Sequence, residues 1–144
     1  MMRVRLDVVG VPQPQGNKTP IAKAGRVVLV EGRRPKSRAA FALWRQAVCE
    51  EAARAAREHG SFPDGPLELD VEFRMPRVST TRKADVWAAK KPDMDKLERC
   101  VLDALTQGGL IVDDSRFCRA GIVKRFVVGT EAPGATIEIA QLVA

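Results

Sequence analysis

Histidine is almost missing from this chain: His59 is the only one in 144 residues. A catalytic triad or a histidine-built zinc centre needs an imidazole set among partners, so triad and zinc hydrolysis are disfavoured, and His59, beside Gly60, reads as a cation at a helix end. Cysteine is scarce as well. Cys49, Cys100 and Cys118 are odd in number and show no CxxC spacing, which argues against a disulfide framework or a cysteine zinc site and leaves buried small hydrophobes as the expectation. Neither GxxxxGK[ST] nor GxGxxG occurs, so nucleotide-driven work is not expected. No run approaches the roughly 18 to 20 uncharged apolar residues that cross a bilayer, and MMRVRLDVVGVPQPQG meets prolines before a signal-peptide core could form. The expectation is a cytoplasmic protein with no membrane partner. Repeats, low-complexity runs and linkers are also missing, and a 45% apolar content is enough for one compact domain over residues 1–144.

What is abundant is positive charge, unevenly placed. Residues 1–38 hold nine Lys/Arg against Asp7 and Glu31, a net of +7, and residues 74–91 hold six against Asp85, a net of +5. The rest of the chain is net acidic, within a total of +6. Basic stretches attract polyphosphate backbones by releasing condensed counterions, which makes nucleic acid the favoured partner over a merely solvated basic surface.

Periodicity gives the elements. MRVRLDVVG alternates and reads as a strand ending at Pro12 and Pro14, and KTPIAKAGRVVLVEG reads as two short strands around Gly25, a ribbon carrying Lys18, Lys23 and Arg26. A helix is expected from an N-cap at Ser37 to about His59, with Phe41, Trp44, Val48, Ala52 and Ala55 on one face. LELDVEFRM alternates strictly and is a strand. Residues 76–92 have no sustained period and carry Arg77, Arg82, Lys83, Lys90 and Lys91 around Trp87: a mobile basic loop, whose tryptophan either anchors it in the core or stacks on an unpaired base. DMDKLERCVLDALTQGG is a helix with Met94, Leu97, Val101, Ala104 and Leu105 on one face, stopped by Gly108 and Gly109. LIVDD then reads as a short strand, followed by strands in RAGIVKRFVV and GATIEIAQLV. The fold class expected is mixed α/β (α+β): a mixed β-sheet with two main helices.

The chemistry lies in the acids. Asp93 and Asp95 sit where the chain enters a helix, which by itself is ordinary capping, but Asp113 and Asp114 return after a tight glycine turn. Carboxylates brought together repel unless a cation neutralises them, and hard oxygen donors without imidazole or thiolate suit Mg²⁺ or Mn²⁺. Alternation along a strand would aim Asp113 and Asp114 at opposite faces, and pattern alone does not choose between them. Asp95, Arg99 and Asp103 form an i, i+4, i+8 line, either a salt-bridge ladder or a cation held near the metal, with Asp103 mostly structural.

Lys91-Pro92-Asp93-Met94-Asp95, Leu97, Asp103-Ala104-Leu105, Gly109 and Asp113-Asp114 together resemble the signature of RusA-like Holliday junction resolvases, approximately [K/R]-P-D-x-D-N-L-x-K, D-A-L, G and D-D-x-Q. Lys124 matches a further lysine of that pattern, and Gly10, Pro12 and Pro14 its early glycine and prolines. The resemblance implies a homodimeric, Mg²⁺-dependent nuclease that nicks two strands of a four-way or otherwise branched DNA symmetrically. It implies that Asp93, Asp95 and Asp114 carry catalysis around the metal, that Asp113 supports them, and that Lys124 or Arg99 stabilises the transition state. Lys96, Arg99 and Arg116 depart from the pattern's asparagine, lysine and glutamine. Arginine keeps the charge but exchanges a point ammonium for a planar fork, and Lys96 either weakens metal binding or adds a phosphate contact. DNA is then expected to meet Lys18, Lys23, Arg26, Arg82, Lys83, Lys90, Lys91, Lys96 and Trp87. The rival readings are a non-catalytic DNA-binding module and a metal-dependent phosphohydrolase of small phosphate esters.

Overall fold

Alternation builds much of the sheet: residues Arg3–Val9 and Leu67–Met75 each bury every second side chain. The computed structural model describes residues 1–16, 18–31 and 35–143, with the side chains of 18–23, 27–31 and 35 outside the description. Strand β1 (Arg3–Val9) buries Val4, Leu6 and Val8. Residues Lys18–Lys23 and Arg26–Glu31 form the expected ribbon, β2 and β3, with Ala24 and Gly25 at φ 53° and 74° in the two-residue turn, as a primed hairpin turn requires. The four-stranded sheet is completed by β4 (Leu67–Met75), β5 (Phe117–Phe126) and β6 (Gly134–Gln141), in the order β1-β6-β4-β5. All pairings are antiparallel except β4 with β5. A parallel pair needs a long crossover. Here it is the segment between Met75 and Phe117, which contains the helix α2 (Met94–Gln107). A mixed sheet with two main helices is thus the architecture expected from the sequence.

Helix α1 (Pro35–His59) begins two residues ahead of Ser37 and buries Trp44, Val48, Ala52 and Ala55, with Phe41 partly covered. In α2 the buried stripe is Leu97, Cys100, Val101, Ala104 and Leu105. Met94 does not join it: as the first residue of the helix it stays 48% exposed. Of the cysteines only Cys100 is buried, and Cys118, at the start of edge strand β5, is exposed. Gly108 has an ordinary right-handed backbone (φ −73°), so its role is closeness: a Cβ there would lie 2.7 Å from both Ala52 Cβ and Cys49 O of α1. Gly108→Ala is expected to lower unfolding stability by about 1–3 kcal/mol, the cost of overpacking, in denaturant titrations.

The expected LIVDD strand is not formed. Leu110 and Ile111 are both buried in succession, which a half-exposed strand does not allow, and the chain turns with Leu110 N donating to Leu105 O and Leu110 O accepting from Phe62 N. No strand alternation therefore separates Asp113 from Asp114.

The sheet face away from the helices is a lattice of paired charges. Arg3 lies 3.9 Å from Glu68 and 3.6 Å from Glu138, Arg5 lies 3.8 Å from Glu138, and Arg119 lies 3.4 Å from Glu68. Arg125 meets Glu72 at 3.1 Å and Glu131 at 2.7 Å. The guanidinium bonds to Glu131 hold its carboxyl down to about 2, against an ordinary 4.5. A depressed carboxyl stabilises fully above its ordinary value, and the contribution is lost as pH falls through about 2. Glu131→Gln is expected to flatten the loss of stability in that acid range, read from unfolding curves at successive pH values.

Candidate functional site

In the chain the acids flank α2, Asp93 and Asp95 where it begins and Asp113 and Asp114 after the turn that follows it. Asp93 is the N-cap, extended at φ −69° and ψ 141°; its carbonyl accepts from Leu97 N at 3.1 Å while its carboxylate makes no capping hydrogen bond. That carboxylate remains available to a cation. Lys96 Nζ lies 3.8 Å from it, and Asp95 is exposed in the first helical turn, where the positive end of the helix favours an anion. Behind them comes Lys124 of β5, level with Phe73 and turned to the helix side of the sheet. Its Nζ donates at 2.7 Å to Lys90 O and at 2.7 Å to Pro92 O. An ammonium has three donors, so two are spent strapping down the chain that leads into Asp93. Burial pushes the Lys124 pKa below its ordinary value, and the nearby Asp93 works in the opposite direction.

At the other end Asp113 caps a single 3₁₀ turn, Asp114–Arg116, by accepting from Ser115 N at 2.8 Å. That bond holds the Asp113 carboxyl below its usual range. Asp114 goes the other way, raised by partial desolvation, by Asp113 and by Asp103 across on α2. Two adjacent acids are thus driven apart, and Asp114 is the one whose charge lacks compensation. Asp103 accepts from Gln15 Nε2 at 2.6 Å, Gln15 N donates to Lys96 O at 3.0 Å, and Gln15 Oε1 is buried without a hydrogen-bond partner. No local pattern marks Gln15, a glutamine in a proline-rich stretch whose partner is 88 positions away.

Electrostatically, then, Asp114 answers to Asp113 and Asp103, and Asp93 to Lys96 and Lys124. Among the described residues no group of three or more His, Cys, Asp or Glu side chains is gathered closely enough to hold a metal ion. The donor chemistry nevertheless suits a hard cation: the acids are all oxygen donors, the Asp93 carboxylate makes no cap bond, and Asp114 carries uncompensated repulsion.

Asp93, Lys96 and Lys124 also line a groove of about 780 Å³, between Val11–Pro14 on one side and residues of 75–92 with Phe126 on the other. The loop over 76–92, expected to be mobile, is tied down. Arg77 donates to Val127 O, Arg82 O and Asp85 O at 3.1, 3.1 and 2.8 Å, and its guanidinium lies 5.3 Å from the Phe126 ring centre. Phe126 N donates to Val86 O and Ala88 N to Lys124 O, and Trp87 forms a β-bridge with Arg125. Trp87 is nonetheless 65% exposed; the core tryptophan is Trp44.

The expected DNA contacts fall on one theme. Lys83, Lys90, Lys91 and Arg82 are exposed, although Arg82 pairs with Asp85 at 3.2 Å, and Arg99 is exposed on α2. Arg26 is exposed beside the hairpin turn, while the side chains of Lys18 and Lys23 lie outside the described residues. No helix among the described residues is long and apolar enough to cross a membrane. A comparison with curated proteins gives no match. The family model for endodeoxyribonuclease RusA matches residues 10–140, a span that holds both pairs of acids, Lys124 and the groove, and the chain belongs to the RusA endodeoxyribonuclease family.

Proposed function

We propose that this endodeoxyribonuclease is metal-dependent and resolves Holliday junctions by paired, symmetric nicks, working in the cytoplasm as a homodimer on four-way or otherwise branched DNA. The observation that carries the reading is the Asp93 carboxylate, which makes no cap bond and lines a groove with lysines in a chain of this family. Asp93, Asp95 and Asp114 would hold Mg²⁺ or Mn²⁺, with Asp113 in support, and the bound ion would supply Lewis-acid neutralisation of the scissile phosphate. Lys124 fixes the approach to Asp93 through Lys90 O and Pro92 O, and its remaining ammonium hydrogen is left for the reacting phosphate. Lys96 and Arg99, each about one turn along the helix from Asp93 and Asp95 respectively, add positive charge on that side.

Labelled four-way junction and linear duplex, incubated with and without Mg²⁺, test this. Symmetric nicks in the junction alone, and only with Mg²⁺, are expected. Binding without cutting under every metal condition would point instead to a non-catalytic DNA-binding module, and hydrolysis of small phosphate esters with the junction untouched to a phosphohydrolase.

Lys18, Lys23, Arg26, Arg82, Lys83, Lys90 and Lys91 grip the arms through phosphates, so recognition follows branched shape more than sequence. Each phosphate contact contributes about −0.9 to the slope of log K against log salt on duplex DNA. Lys83→Ala is therefore expected to flatten the slope by roughly one, alike on junctions of different sequence. If substitution of Lys83 and the other basic positions in turn leaves the slope unchanged, the electrostatic grip is wrong.

A further inference from the structure

We infer that the groove beside Asp93 is a seat for one unstacked nucleobase of the DNA strand, with the indole of Trp87 as its stacking surface. This rests on the endodeoxyribonuclease reading and names the part of the substrate that this wall takes. A groove that met only phosphates would need cations and backbone N–H groups. This one offers an apolar wall as well: Val11, Pro12, Pro14, Met75, Trp87 and Phe126. Its volume, about 780 Å³, lies in the range of small-molecule pockets and exceeds what a phosphate fills.

Trp87 is unusual in being held and yet uncovered. Its backbone is bridged to Arg125, and its neighbours Val86 and Ala88 are bonded to Phe126 N and Lys124 O, while the residue keeps 65% exposure. An indole carried on a backbone fixed in this way has only its two side-chain torsions to order when a flat ring lies on it, and every base presents such a ring. Charge selects the occupant. Lys90, Lys91, Lys96 and Lys124 line the same groove against Asp85 and Asp93, and Asp85 is already paired with Arg82. A base carrying its own phosphodiester satisfies both halves of that surface, which an apolar peptide does not.

The test uses the full-length protein without metal, reads affinity for wild type and variants from the anisotropy of end-labelled decamers, with the monophosphate as competitor, and follows tryptophan emission in the wild type, which reports Trp87 because Trp44 is 2% exposed. A thymidine decamer, an abasic decamer of the same backbone and thymidine monophosphate are titrated at one salt concentration. The thymidine decamer is expected to quench emission and bind about 5- to 150-fold tighter than the abasic one, the range that stacking of a base on an aromatic side chain gives. Trp87→Ala should bring both decamers to the abasic affinity, and Trp87→Phe should keep part of the preference. Equal binding of the two decamers to the wild type, a preference that survives Trp87→Ala, or monophosphate binding as tight as the decamer would each overturn the seat. Junction nicking with Mg²⁺ is measured in parallel. Nicking without base preference sinks the seat alone, and base preference without nicking sinks the nuclease reading alone.

Discussion

Asp93→Asn, Asp95→Asn and Asp114→Asn should each reduce junction cleavage by about 10³-fold or more while leaving junction binding at or above the wild-type level. Asparagine preserves shape but removes the anionic oxygen that a hard cation requires, and an oxyanion-stabilising contact alone is worth about 10²–10³ in rate. Binding should not suffer, because taking negative charge away from a surface that meets a polyanion lowers repulsion. The three positions are not equivalent in the structure. Asp93 makes no cap bond, Asp95 is exposed in the first helical turn, and Asp114 is raised in pKa by partial desolvation and then by its acidic neighbours. Asp114→Asn also removes a repulsion, so that variant should be no less stable than the wild type even as it stops cutting. Gel assays of nicking and of binding on the same preparations decide the matter, and near-normal nicking by any of the three would remove that residue from the site.

Lys124→Met should cut the rate of cleavage by about 10²-fold or more, with a smaller effect on junction affinity. The ammonium holds Lys90 O and Pro92 O at 2.7 Å each, so its loss frees the strap ahead of Asp93 as well as removing a charge near the phosphate. Lys124→Arg separates the two contributions. A guanidinium keeps the charge, but its planar fork does not reproduce the two short bonds to converging carbonyls. If positioning dominates, Lys124→Arg falls with Lys124→Met; if charge dominates, it recovers most of the rate. Full activity in Lys124→Met would exclude both roles.

Elements with one covered face were written plainly in the sequence. LELDVEFRM reads as β4 because alternation is the direct trace of burial on one side, and the α1 stripe from Trp44 to Ala55 reads likewise. LIVDD misled because three apolar residues carry no usable period: Leu110 and Ile111 plug the core side by side, in a turn held by Leu110 N donating to Leu105 O and Phe62 N donating to Leu110 O. The segment 76–92 misled for another reason. Its order comes from isolated tethers, Arg77 gripping three carbonyls, Lys124 gripping two more, and Val86, Trp87 and Ala88 bonded to the end of β5, and such tethers leave no periodic mark. At the candidate site, Asp93, Asp95, Asp113 and Asp114 stood out in the sequence as two acidic pairs flanking a helix, whereas Lys124 was singled out only through the resemblance to RusA-like resolvases. Gln15 and the electrostatic link from Asp103 to Asp114 were not, because they join segments far apart in the chain and belong to no local pattern.

The charge lattice on the helix-free side of the sheet has a consequence for how the molecule meets its substrate. Arginines and carboxylates there neutralise one another within a few ångströms, so their field fades inside a Debye length of about 8 Å at physiological salt. On the proposed function, a DNA arm approaching from that side would meet little net field, whereas the basic loop would attract it. The two sides would then differ as an electrical one-way surface does, biasing encounters with a duplex toward the acids and the groove.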